Sequence, residues 1–191
     1  HSGEGIGLSV VPKGFVIFDN NPEKFWYTGA SNVSAVHEDE YGNLWLGNSG
    51  GGIEVFDWQH ATILRFMYSP SNPYGPGKGT VFAIYRDREK RMWIGTYEGG
   101  LQYYDKATGR FYSYGHVPGD STSIAGNDIR SVTEDEKGNL WIAAGVSRPR
   151  HANETAQVPA GVYVVTPQGN MLGRIPIPED SVTNLAFGGP E

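Results

Sequence analysis

The side chains of this 191-residue sequence that are best suited to bind a ligand are aromatic and charged groups in loop segments or at the start of a strand. Aromatic rings offer faces for stacking, and a guanidinium can form paired hydrogen bonds with polar ligand groups. The set therefore predicts a surface that binds a carbohydrate or another small ligand; the alternative is that these are ordinary solvated loop residues. The candidates are Tyr74, Tyr97, Glu98, Asp128, Arg130, Arg148, Arg150 and His151.

No pattern in the sequence indicates catalytic residues. Asp39, Asp87 and Asp135 recur at an even spacing, but D-x-x-G-N sequences are typical turns in which the Asp side chain caps backbone amides. Lys90 replaces the turn glycine in the middle copy, which predicts a turn that does not require a positive φ. The five histidines show neither metal-ligand spacing nor a pairing with Ser and Asp, and the sequence contains no Cys. We predict no catalytic residues.

Composition excludes two other classes of function. The formal net charge is -6 and the 15 Lys and Arg residues are scattered, which argues against nucleic-acid binding. No stretch approaches the roughly 18 consecutive apolar residues of a membrane-spanning helix, so we expect no membrane insertion by this segment. No signal peptide is visible, and the sequence starts at His1 rather than Met, so we expect a processed or excised piece.

An internal repeat positions the candidate residues. Trp45, Trp93 and Trp141 are 48 residues apart, in the strings GNLWLG, KRMWIG and GNLWIA. A period of 40 to 50 residues built from short strands and turns is typical of propeller blades. Apolar neighbours on both sides of each Trp indicate that these indoles belong to the core.

Four candidate strands fall within each repeat, so the predicted fold class is an all-β propeller of four-stranded antiparallel blades. The predicted strands are 33–38, 44–48, 53–56 and 62–68, then 81–86, 91–96, 101–104 and 110–114, then 129–134, 140–143, 161–166 and 172–175. The predicted single domain comprises a fragment at 1–32, blades at about 33–69, 81–116 and 128–179, and the start of another blade at 181–191.

The two incomplete ends allow two interpretations. Strands at 14–19 and 24–28 resemble the last part of a blade, and 182–187 resembles an inner strand. The chain is then either a slice of a larger propeller or a closed ring of four blades. In both, the links between blades and the turns after the Trp strands share one face, which carries the candidate residues. In the third repeat about 13 residues are inserted within 146–160.

Most of the chain resembles the two-component regulator propeller repeat family. The similarity covers about residues 10–145 and consists of V-x-A-V/I-x-x-D, GNLWIG, GGL-x-x-Y-D, G-R-F-x-x-Y and the connector PGDSTSIAGNDIRSV. The resemblance implies a non-catalytic, extracytoplasmic sensor propeller of a bacterial regulator, in the periplasm or outside the cell, that responds to an oligosaccharide or another small ligand. It also implies that the rest of a larger propeller chain is a possible partner.

The last part of the chain, about residues 137–190, resembles a second family. GNLWIAAG followed by GVYVVTPQGNMLGRIPIPEDSVTNLAFGG is similar to the senescence-marker-protein/gluconolactonase propellers. It implies the alternative function, a metal-dependent lactone hydrolase that uses Ca²⁺ or Zn²⁺. The metal-binding Asp of that family would align with Arg130, and Glu4 is the one weak match to its metal-binding Glu. We therefore expect no cofactor unless this alternative holds.

Overall fold

The computed structural model describes the backbone of residues 6–11 and 14–18, and residues 32–117, 120, 123, 124, 126–146 and 160–187 in full. Strands β1 (Ile6–Val11) and β2 (Gly14–Phe18) form an antiparallel hairpin. The next twelve strands form three four-stranded antiparallel sheets, each of which is a blade.

The strands of each blade follow one another in sequence order. Blade 1 contains β3 (Val33–Glu38), β4 (Leu44–Asn48), β5 (Gly52–Asp57) and β6 (Thr62–Met67). Blade 2 contains β7 (Val81–Arg86), β8 (Met92–Thr96), β9 (Leu101–Asp105) and β10 (Arg110–Tyr114). Blade 3 contains β11 (Ile129–Glu134), β12 (Leu140–Ala144), β13 (Gly161–Val165) and β14 (Met171–Pro176). The prediction of four-stranded antiparallel blades is confirmed, and each strand end lies within a residue of its predicted position.

The ends of the chain differ from expectation. Residues 182–187 form no strand; only an isolated bridge between Val146 and Ser181 is present. A strand needs a neighbour to accept its ladder hydrogen bonds, and among the described residues nothing pairs with 182–187. The β1–β2 hairpin likewise has no third strand in the described part of the chain, and no sheet there combines strands from both ends. Strand β1 was not predicted, and the strand predicted at 24–28 lies outside the described residues.

The blades pack through a contact at the glycine two residues after the Trp. A Cβ on Gly47 would lie 2.4 Å from Cγ1 of Val81, and a Cβ on Gly95 would lie 2.6 Å from Cγ2 of Ile129. Both distances are far below van der Waals contact, so the first apolar residue of each inner strand occupies the space above the previous blade's glycine. This contact explains why the repeat keeps a small residue at that position.

The Trp side chains extend this packing outward. Trp45 lies in the cluster between blades 1 and 2, and Trp93 lies in the cluster between blades 2 and 3. Their exposed fractions are 5% and 2%, which confirms the prediction that these two are core residues. Trp141 is half-buried, and its ring is perpendicular to that of Phe187 at 5.3 Å between centroids.

The Asp residues cap turns, as predicted, and also hold the Trp residues. Asp39 accepts hydrogen bonds from the backbone of Tyr41 and Asn43, from the Asn43 amide, and from Nε1 of Trp45 at 3.1 Å. The same indole bond occurs in the other blades, at 2.7 Å from Trp93 to Asp87 and at 3.0 Å from Trp141 to Asp135. Each Asp therefore joins the turn to the blade core.

The prediction for Lys90 was wrong. Its φ is +67°, close to the +78° of Gly42 and the +87° of Gly138 at the same position in the other blades. The hydrogen bonds of the Asp turn impose this left-handed conformation, so the middle blade places a strained lysine where its neighbours have glycine.

Ion pairs at the Asp-turn end connect the blades. Arg86 of blade 2 lies 3.3 Å from Glu40 of blade 1. Arg88, also in blade 2, lies 3.0 Å from Glu134 of blade 3, whose carboxylate also accepts the Arg88 backbone N–H at 2.8 Å. The middle blade thus presents its arginines to acidic residues on both sides.

Candidate ligand-binding rim

Within the described residues the predicted common face exists, and we call it the rim: the end of the blades formed by the link 70–80, the described part of the link 115–128 and the turns after the Trp strands of blades 1 and 2. Backbone hydrogen bonds join each turn to the link beside it. Tyr97 N–H donates to Thr80 O at 2.9 Å, and Gly100 N–H donates to Asn127 O at 3.1 Å. Each inner strand therefore starts beside the turn of the Trp strand.

A β-bulge shapes the rim at the start of every inner strand. The ladder register shifts between Val33 and Ala35, and it shifts again at the equivalent places in β7 and β11. The residues within these shifts are Ser34, Phe82 and Arg130, which are 48 residues apart. A bulge turns a side chain away from the strict alternation of a strand. Ser34 uses this position to donate a hydrogen bond to Val81 O of the next blade at 2.7 Å.

Arg130 is the centre of the rim between blades 2 and 3. Its Nε lies 2.7 Å from Oδ1 of Asp128, and its Nη2 donates to Oδ2 at 2.9 Å. Its Cζ lies 4.3 Å from the ring centroid of Phe82 and 5.4 Å from that of Tyr97. The two rings are nearly perpendicular, with centroids 6.2 Å apart. Two aromatic rings and an acid thus surround one guanidinium.

Burial and ion pairing hold the side chains of this cluster in one arrangement. Asp128 is 6% exposed, and the side chain of Arg130 keeps 26% of its surface accessible. A carboxylate so deeply buried needs its ion pair, and the pairing orients the guanidinium. Because the carboxylate contacts only one edge of the guanidinium, N–H donors remain on the other edge for a ligand.

Glu98 lies next to this cluster in the chain but has its own partner. Its carboxylate is 2.5 Å from Nζ of Lys78, which belongs to the link between blades 1 and 2. Gly79, with a φ of +86°, packs so closely that a Cβ there would lie 3.0 Å from the Glu98 backbone nitrogen. The link and the turn are therefore held together at the position where Tyr97 projects.

Tyr74 lies apart from this group. Its ring packs under Cζ of Arg110 at 4.3 Å and lies 6.3 Å from the ring of Tyr112, both on the outermost strand β10. The structure therefore brings together Tyr97, Asp128 and Arg130 at the inner end of the rim, with Glu98 beside them, and leaves Tyr74 at the outer edge of the blade. The predicted residues Arg148, Arg150 and His151, with most of the insert, lie outside the described residues.

The sequence prediction omitted two residues that belong to the rim. Phe82 shares its repeat position with Arg130, so the 48-residue period contained the signal needed to find it. Gln102 is 1% exposed; its Oε1 accepts a hydrogen bond from Gly77 N–H at 2.5 Å, and its Nε2 donates to Ser113 Oγ at 2.6 Å. A buried Gln in a strand was the available signal, since buried polar groups are hydrogen-bonded.

The rim offers little support for metal chemistry. Among the described residues, no group of three or more His, Asp and Glu side chains is close enough together to hold a metal ion. Arg130 occupies the position of the expected metal-binding carboxylate, and the nearest carboxylate, Asp128, is paired with it. Glu4 lies outside the described residues, so the Ca²⁺ or Zn²⁺ site remains a prediction of the lactonase alternative alone.

Comparison with known families identifies the repeats. Residues 29–50, 75–98 and 123–145 match the family model described as the two component regulator propeller. These three segments are two-component regulator propeller repeats. Each match ends in or just after the Trp strand of a blade, and together they contain the bulge and the Asp turn of all three blades. A search of curated proteins gives no sequence match to the chain.

Solved structures show the same fold over most of the chain. Two are described as extracellular domains of hybrid two component systems from B. thetaiotaomicron. One is 19% identical to this chain with a TM-score of 0.65, and the match covers 97% of this chain and 24% of the other. The second is 18% identical with a TM-score of 0.64, and the match covers 81% of this chain and 20% of the other. The chain thus spans between a fifth and a quarter of those domains, which supports the interpretation as a propeller slice.

A third solved structure belongs to the second predicted resemblance. It is described as a gluconolactonase-family protein, is 16% identical with a TM-score of 0.60, and covers 99% of this chain and 62% of its own. At this identity the likeness concerns the fold and not the active site. Among the described residues of our chain, no helix has the length and apolar character of a membrane span.

Proposed function

We propose that this chain is a ligand-recognition part of an extracytoplasmic bacterial sensor, and that it binds a carbohydrate or another small polar ligand at the rim between blades 2 and 3. The observation that carries the proposal is the Asp128–Arg130 pair beside the rings of Phe82 and Tyr97. The regulator-type repeats and the extracellular domains that share the fold support the location.

The cluster has the properties that saccharide recognition requires. Aromatic side chains supply apolar faces and edges, and a guanidinium oriented by a carboxylate supplies N–H donors at a defined angle. The cluster lies where a link and a turn meet, and binding residues are commonly placed on loops of a rigid scaffold. No residue of the cluster is arranged as a nucleophile with a base, so the proposed function is binding and not catalysis.

The proposal is tested by titration calorimetry of the full chain against a panel of neutral and acidic oligosaccharides. For a ligand that binds, Arg130→Ala and Tyr97→Ala should each weaken the affinity at least about tenfold, which corresponds to roughly 1.4 kcal/mol of binding free energy. Circular dichroism should confirm that both variants remain folded.

A matched control exists in the same blade. Arg110 also lies 4.3 Å from an aromatic ring, that of Tyr74, but on the outermost strand. Arg110→Ala should therefore leave the affinity within about twofold of the unmodified chain. Absence of binding across the panel, or an equal loss of affinity for Arg110→Ala and Arg130→Ala, would contradict the proposal.

A further inference from the structure

A second concave site lies at the opposite end of the blades from the rim. Strand β8 runs from this end, at Met92, to the rim at Thr96, so the two sites are separated by the length of a strand. The site is a cavity of about 100 Å³ between blades 1 and 2, beside the Asp turn of blade 1. Its walls include the aromatic rings of Trp45, Phe66 and Tyr104.

These walls form a rigid apolar receptor. The ring of Tyr104 is 5.4 Å from that of Trp45 and 5.3 Å from that of Phe66, both in tilted or edge-on arrangements. Trp45 is additionally fixed by its hydrogen bond to Asp39. An engineered apolar cavity of about 150 Å³ holds benzene. A cavity of the present size, open at one side, therefore matches a single small ring or a short branched chain.

The repeat shows how the two junctions differ at this end of the blades. The deciding position is residue 43, 91 or 139, which is Asn, Arg and Asn in the three blades. Arg91 lies over the Trp93 ring at 5.3 Å, contacts Asp87 at 2.6 Å through Nε, and donates to Pro167 O of blade 3 at 3.1 Å. Its guanidinium thereby closes the second junction.

Asn43 is too short to do the same. Its amide folds back to Asp39, to which Nδ2 donates at 3.0 Å, so the space that Arg91 occupies in the next blade stays open. Asn139 makes the same bond to Asp135 at 2.9 Å and also borders a cavity, of about 560 Å³, on the far side of blade 3. Asparagine at this position therefore borders a cavity in both blades that carry it.

The mouth of the cavity between blades 1 and 2 carries two lysines. Nζ of Lys106 lies 3.7 Å from the ring centroid of Tyr41, and Lys90 also lines the cavity. Within the described part of the chain neither lysine forms an ion pair with a carboxylate. The two acids at the mouth are already engaged: Asp39 by four donors in its turn, and Glu40 by Arg86 at 3.3 Å.

We propose that this inter-blade cavity binds a small aromatic or branched aliphatic carboxylate, with the apolar part against Trp45, Phe66 and Tyr104 and the carboxylate at Lys90 and Lys106. The apolar walls supply affinity, and the two ammonium groups select an anion over a neutral molecule of the same shape. The cavity volume of about 100 Å³ limits the ligand to about one ring.

Benzoate is the probe for the test, with benzyl alcohol as its neutral counterpart, and binding to the full chain is measured by ligand-observed NMR and Trp fluorescence. Benzoate should bind at one site and more tightly than benzyl alcohol. Asn43→Arg, which copies Arg91 into blade 1, should abolish binding of both probes. Lys106→Met should weaken benzoate binding about five- to tenfold while changing benzyl alcohol binding less than twofold.

The matched control is Asn139→Arg, which makes the same substitution at the equivalent turn of blade 3. It should leave benzoate binding unchanged, and thermal melting should show that both arginine variants remain folded. The proposal is overturned if neither probe binds, if Asn43→Arg binds benzoate like the unmodified chain, or if both arginine variants lose binding to the same degree. Because the rim is not involved, Arg130→Ala should not change benzoate binding.

Discussion

The junction between blades 1 and 2 and the junction between blades 2 and 3 share the same inner contact. They differ in the side chains at the Asp-turn end and at the rim. In both, a branched apolar residue from one inner strand occupies the space above a glycine of the previous blade. At the Asp-turn end, Asn43 borders a cavity at the first junction, whereas Arg91 reaches across the second junction to Pro167. At the rim, Ser34 makes a backbone hydrogen bond at the first junction, and Arg130 builds a charged aromatic cluster at the second. The shared positions carry stability, and the variable positions carry the candidate sites.

The largest expected effect comes from removing the indoles of the two junctions. Trp93→Ala should lower the free energy of unfolding by about 3 to 5 kcal/mol, and Trp45→Ala should fall at the low end of that range because Trp45 already borders a cavity. Urea denaturation followed by circular dichroism measures both. An equal or larger loss for Trp45→Ala would show that the first junction is as tightly packed as the second.

The inner contact, by contrast, should be equally sensitive in both junctions. Gly47→Ala and Gly95→Ala each force a methyl group into space occupied by a branched side chain, which should cost about 1 to 3 kcal/mol. Gly173→Ala is the matched control, since a Cβ at Gly173 of β14 has no heavy atom within 4 Å. A loss for Gly173→Ala as large as for the other two variants would mean that glycine is needed for another reason.

Relief of strain at Lys90 should have a smaller effect. Lys90→Gly removes a left-handed lysine, and after the entropic cost of glycine in the unfolded chain we expect a gain of roughly 0.5 to 1 kcal/mol. Gly42→Lys in blade 1 is the reverse substitution and should lower the free energy of unfolding by a similar amount. Thermal melting of both variants compares the same turn at two blades, and a stabilised Gly42→Lys variant would refute the strain argument.

The smallest effect concerns the Asp turn of blade 3, whose backbone carbonyls at Asp135 and Glu136 accept hydrogen bonds from Arg88 of blade 2. Burial disfavours the Asp135 carboxylate, but hydrogen bonds from Trp141, Asn139 and Lys137 outweigh it and lower its pKa from 3.8 to about 2. Because the folded pKa lies below the unfolded one, this stabilising contribution is complete above pH 3.8 and is lost as the pH falls through about 2. Acid titrations followed by circular dichroism should show a weaker pH dependence for Asp135→Asn, and identical curves would contradict the assignment.

Much of the fold followed from the 48-residue period. Strand positions depend on apolar patterns and turn residues that repeat three times, so β3 to β14 were predictable from the sequence. The β1 strand was not, because the string that forms it has no counterpart in the other repeats. The interpretation of 182–187 as an inner strand failed because a strand also needs a pairing partner, which an apolar pattern does not supply.

The candidate site was predictable only in part. That the links and turns share a face follows from the strand order, which placed Tyr97, Asp128 and Arg130 on one rim. The register shift at Arg130 has no signal in a single sequence, and it is this shift that turns the guanidinium toward Phe82. The sequence also could not predict that Tyr74 lies outside the cluster, because the position of Tyr74 depends on how the 70–80 link folds over β10.

The ion pairs at the Asp-turn end restrict the order in which the blades can be arranged. Blade 2 carries arginine where blades 1 and 3 carry glutamate, and it pairs with Glu40 on one side and Glu134 on the other. Three blades with the same inner contact could dock on one another in any sequence, and wrong docking is a characteristic failure of repeat proteins. An arrangement that placed blade 1 directly against blade 3 would bring glutamates together without an arginine between them. The alternating charges therefore favour the native order of the blades over wrong pairings between them.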